Sequence, residues 1–102
     1  MAFPDDVLGE IRAVCDPDRV ILYGEKRTLS TDKLKAASFC LILPDGADKP
    51  GLLRRLYLAV TSDIPIQLTL YTETEWQELT AEATSYAAWI SRKGRVLYEQ
   101  VT

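Results

Sequence analysis

The chain has 102 residues, 47% of them hydrophobic and 26% charged, with a formal net charge of −3. These proportions are those of one ordinary soluble domain, long enough to bury a core without disulfides or a structural metal. Histidine is absent, which removes Ser-His-Asp and Cys-His pairs, histidine-based zinc sites and an imidazole general base.

Acidic residues outnumber basic ones, 15 to 12, so the whole surface offers no field to collect a phosphate backbone, and nucleic acid is not an expected partner. Cys15 and Cys40 each lie in an apolar run and are expected to be small buried hydrophobes, not a disulfide or a reactive thiol. Residues 1–6, Met-Ala-Phe-Pro-Asp-Asp, lack the features of a signal peptide, and no apolar run has the length of a membrane span. A cytoplasmic location without membrane contact is the expectation.

Taken in order, Val7, Leu8, Ile11, Val14 and Cys15 recur at helical spacing after Pro4-Asp5-Asp6, which predicts an amphipathic first helix. It should stop at Asp16-Pro17-Asp18, because the residue before a proline is pushed out of the helical region. Residues 19–23, Arg-Val-Ile-Leu-Tyr, read as a short interior strand. The polar stretch 24–35 shows no period and reads as the longest irregular segment. Residues 36–43 form a second buried strand, closed by the turn signal Pro44-Asp45-Gly46.

Leu52, Leu53, Leu56, Tyr57 and Val60 mark a second helix with Pro50 in its first turn and Arg54 and Arg55 outward. In the strand 64–71, Ile66, Leu68 and Leu70 share one face and Gln67, Thr69 and Tyr71 the other. Thr72 and Glu75 have capping-box spacing, so another helix starts there. Its stripe runs Trp76, Leu79, Ala83, Tyr86, Ala87 and Ile90, and it is either continuous or restarts at Ser85. Gly94 is placed as a glycine cap after the basic last turn Arg92-Lys93, before a final strand at 95–99.

The order is α-β-β-α-β-α-β in a single domain spanning 1–102. Because no helix joins the first two strands, the expected class is α/β (α+β), with a mixed four-stranded sheet and three to four helices.

The segments "DPDRVILYGEKR", "ASFCLILPDG", "DIPIQLTLYTETEWQEL" and "ISRKGRVLYE" resemble, in order and separation, the minimal nucleotidyltransferase domains related to DNA polymerase β. The resemblance covers nearly the whole chain. It implies a Gly-Ser loop after the first strand, an Asp-x-Asp pair on the second and a further Asp on the third. Those carboxylates hold two divalent ions for nucleotidyl transfer, and the loop gives N–H groups and a hydroxyl to the phosphates.

Carried over residue by residue, the resemblance keeps the frame and loses the carboxylates. Gly24 matches the loop glycine, but Glu25 replaces the serine, and Leu29 stands near where a second glycine would fall. The Asp-x-Asp pair falls on Ala36 and Ser38 or, shifted by one residue, on Ala37 and Phe39; the third aspartate falls on Gln67. Glu25, Asp32, Asp45 and Asp48 are assigned to loops, where ligands are not held rigidly enough to substitute.

The resemblance therefore implies a degenerate, catalytically inactive member, without catalytic residues, metal or cofactor. It would act through a protein partner, as does the antitoxin half of a toxin–antitoxin pair beside a small helical protein. Lys26, Arg27 and Trp89 are the candidate interaction residues, Trp76 being assigned to the core, and a homo-oligomer is left open. The alternative is an active or nucleotide-binding minimal nucleotidyltransferase that uses Mg²⁺ and a nucleoside triphosphate with atypical ligands.

Overall fold

A computed structural model describes residues 3–100. Its elements are α1 (Asp5–Val14), β1 (Arg19–Arg27), β2 (Leu34–Leu43), α2 (Lys49–Ala59), β3 (Ile66–Thr72), α3 (Glu73–Thr80), α4 (Tyr86–Lys93) and β4 (Arg95–Glu99). The strands form one mixed sheet in the order β3-β2-β1-β4, with β2 and β3 parallel and β1 antiparallel to both β2 and β4. The expected class and the antiparallel pairing of the first two strands are both observed.

Side-chain alternation sorts the sheet into two dry faces. Val20, Leu22, Ala37, Phe39, Leu41, Leu43 and Leu68 point to the side where Val7 and Ile11 of α1 and Leu56 of α2 pack. Ile21, Tyr23, Cys40 and Ile42 point to the other, against Trp76 of α3 and Ala87 and Ile90 of α4. Three layers result, with helices on both faces. Arg54 and Arg55 are exposed, as their place outside the α2 stripe requires.

Three expectations change, and one open alternative is resolved. The stretch 24–35 is not irregular: β1 runs on through Arg27 and β2 begins at Leu34, so only 28–33 turn back. The hairpin extends beyond the helical layers, where neither face needs apolar cover, and so its sequence shows no alternation. Its tip is closed by Thr28 N–H donating to the Lys33 carbonyl and Asp32 N–H to the Thr28 carbonyl, both at 2.9 Å. Asp32 takes the left-handed conformation (φ 54°) that aspartate tolerates.

Of the two forms left open for the third helix, the restart at Ser85 is the one observed, giving α3 and α4. Thr72 and Glu75 form the capping box of α3, and Ser85 caps α4 by accepting from Ala88 N–H at 3.0 Å. Tyr86 and Ala83, placed on the buried stripe by a continuous helix, are exposed as a result. Cys15 is only half-buried, at the extended C-cap that ends α1; Cys40 is fully buried, and both thiols are free.

Gly94 does follow α4, but with φ −80° and ψ 160°, an extended backbone open to any residue. What requires glycine is proximity. A Cβ there would run into the Ile21 side chain and come within 2.7 Å of the Ile90 carbonyl oxygen. Gly94→Ala should therefore lower unfolding stability by about 1–3 kcal/mol, the usual range for overpacking, read as a fall in the urea midpoint at unchanged slope.

Candidate functional site

The five positions singled out by the sequence converge. Gly24, Glu25, Ala36, Ser38 and Gln67 all line one cleft of about 380 Å³. The register explains the convergence: Gly24 lies opposite Ser38 across β1–β2, Lys26 opposite Ala36, and Ser38 beside Gln67 across β2–β3. Ala36, Ser38 and Gln67 share the face of Cys40, Ile42 and Tyr71, at the end that α3 and α4 leave uncovered.

The alternative register, Ala37 and Phe39, points into the α1–α2 core, where both side chains are buried. Of that pair only Ala37 borders the cleft, and its methyl is buried on the core side, whereas Ala36 and Ser38 both line the cleft from its own face. Gly24 is required here by close approach, since a Cβ would stand 3.3 Å from Ser38 Cβ. A β-bulge between Leu22 and Gly24 sets this spacing, as bulges do where a strand must re-aim its side chains.

Between the cleft and the helix-covered part of the face, the Tyr23 hydroxyl and Thr69 Oγ1 meet at 2.9 Å, bridging β1 and β3 across β2. Burial, with a contribution from the neighbouring Tyr86, pushes the Tyr23 phenol up to about 12, while the Thr69 hydrogen bond acts the other way. Tyr23 is thus neutral at physiological pH. Burial also pushes the Cys40 thiol up to about 12, and burial, reinforced by the Asp16 charge, raises Cys15. Neither is a poised thiolate.

The acids assigned to loops have other occupations. Glu25 lies on β1, not in a loop, and pairs with Arg27 at 2.7 Å. Asp45 accepts from the backbone N–H of Thr74 at 3.0 Å and from its hydroxyl, and those bonds hold its carboxyl below the usual range. Asp48 caps α2 by accepting from Gly51 N–H at 3.3 Å. Asp32 sits in the hairpin tip and Leu29 stands fully exposed there. Among the described residues, no group of three His, Cys, Asp or Glu side chains is arranged to hold a metal ion.

Of the candidate interaction residues, Lys26 lines the cleft, Arg27 is engaged by Glu25 and Trp89 is 39% exposed. Trp76 is in the core. Trp89 belongs to a cluster that the assignment of Tyr86 to the core concealed. The Tyr86 and Trp89 rings stack at 5.7 Å and 12°, and both stand edge-on to Tyr23 at about 6 Å. Their i, i+3 spacing on one helix is the signal that could have paired them.

Compared with protein-family models, curated proteins and solved structures, the chain matches none. Among the described residues no helix is long and apolar enough to cross a membrane.

The thiol assignment has a direct readout. With a disulfide-exchange reagent at pH 8, the native protein should yield slow modification of Cys15 alone. Cys40 should react only in urea; rapid native modification of both would contradict the burial.

Proposed function

We propose that this chain is a catalytically inactive protein of the nucleotidyltransferase-like class that works by binding another protein. What carries the reading is the cleft. Where the resemblance puts metal-binding aspartates stand Ala36, Ser38 and Gln67, and the nearby Glu25 is engaged by Arg27. Magnesium dehydrates reluctantly and needs carboxylates to offset that cost; a methyl, a hydroxyl and an amide supply no charge. The residues present do not fit the ions, and no catalytic step is written through them.

The exposed aromatic stack of Tyr86 and Trp89, packed on Tyr23 next in the chain to Gly24 of the cleft, supports the protein-binding half of the reading, because aromatic residues are enriched at interface cores. A small helical protein, as in a toxin–antitoxin pair, is the partner proposed.

Calorimetry with ATP and GTP, with and without Mg²⁺, should show no metal-dependent heat, and no pyrophosphate should be released. Metal-dependent binding with pyrophosphate release would make the chain an active enzyme. A second experiment tests the register: combining Ala36→Asp, Ser38→Asp, Gln67→Asp and Glu25→Ser should create Mn²⁺ binding, seen by electron paramagnetic resonance, that the parent chain lacks. A folded quadruple variant that binds no Mn²⁺ would refute the correspondence of these positions to the family's metal site.

A further inference from the structure

β1 and β4 have unequal lengths, and the difference leaves a step in the sheet. β4 pairs with β1 only from Arg19 to Leu22, whereas β1 continues to Arg27 with β2 on its other side. Residues 23–27 therefore present one unpaired strand edge, in line with β4. The chain that enters β4 cannot cover it, because Gly94 N–H turns back to the Ile90 carbonyl at 2.7 Å and the backbone climbs away into α4. The step is a hollow of about 260 Å³ between Tyr23, Gly24 and Glu25 on one side and Lys93 and Arg95 on the other.

The rim of this hollow is cationic in an otherwise acidic protein. Glu25 is engaged by Arg27, and among the described residues neither Lys93 nor Arg95 takes part in an ion pair. Tyr86, Trp89 and Lys93 follow one another at i, i+3 and i+7 along α4, so the aromatic stack and the cation lie on one helix stripe. Backbone groups for pairing, a cationic rim and an aromatic platform thus meet at one edge.

We infer that the open edge of β1 at residues 23–27 takes an extended acidic segment of a protein partner as an added strand, continuing the line of β4. The inference deepens the protein-binding proposal and rests on it. Strand addition draws affinity from main-chain hydrogen bonds and specificity from flanking side chains. Lys93 and Arg95 select carboxylates in the incoming segment, and the Tyr86–Trp89 stack receives an apolar residue. A second copy of this chain is a poorer occupant. Antiparallel self-pairing centred on Glu25 or on Lys26 sets that residue against its own copy, and like charges directly opposite are destabilising.

Peptides selected from a phage-displayed random library on the full chain test this. Enriched peptides should be rich in Asp and Glu and should slow amide exchange within 23–27 at least tenfold. Their affinity should fall at least tenfold in the Lys93→Glu/Arg95→Glu variant and in Trp89→Ala, both checked for native circular dichroism. Enrichment without acidic bias, protection confined to another surface, or no enrichment at all overturns the inference, as does capture of oligo-dT in place of peptide through the same residues. Peptides that protect another surface leave the broader protein-binding proposal standing, whereas pyrophosphate release in the calorimetric experiment removes its inactive-enzyme half separately.

Discussion

The end of β2 from Phe39 to Leu43 imposes the architecture. Five consecutive residues there are at most 1% exposed, so both faces of the strand and both of its edges must be covered at once. β1 and β3 take the edges, α1 and α2 one face, and α3 and α4 the other. A continuous apolar run of this kind is the mark of a strand buried on both sides, and it makes three layers the natural outcome for a chain of this size. It also limits the site: where the run ends, at Ser38, the helical cover on one face ends as well.

Much of this was legible in the sequence because the strongest signals were local. The apolar run of β2, the alternation of Ile66, Leu68 and Leu70, and the Thr72–Glu75 capping box each have one economical structural solution, and each took it. The losses share a cause as well. Residues 24–35 read as irregular because alternation is visible only where one face is dry, and the protruding hairpin has no dry face. The sequence alone does not decide the break at Ser85, since a serine able to cap a new helix is also tolerated inside one, and only the turn between α3 and α4 shows which role it plays.

The candidate site was legible in another way. Gly24, Ala36, Ser38 and Gln67 came from a resemblance, and their meeting in one cleft follows from pairings that a linear reading does not contain. The sequence leaves two registers for β2; side-chain direction separates them, because odd residues face the α1–α2 core and even ones the opposite face, where Ala36 and Ser38 line the cleft. What the sequence could not carry at all is an unpaired edge. That property belongs to the difference in length between β1 and β4, not to any residue.

Ties across the layers are concentrated at the other end of the molecule. Lys49, in the first turn of α2, reaches Glu75, in the first turn of α3, at 2.7 Å, and Asp45 binds Thr74 close by, so the two helical layers are joined around the C-terminal ends of β2 and β3. The Lys49 ammonium and the Thr72 N–H hold the Glu75 carboxyl below its ordinary range. This support is complete above the ordinary carboxylate pKa and is lost as pH falls through the lowered one. The clamp fixes one end of the sheet while the hairpin end projects beyond the helices, which gives the fold a built-in gradient of local opening along its strands. Conformational entropy is thereby kept at the end that carries the cleft, and a molecule settling there would draw its cost of ordering from the hairpin and not from the core.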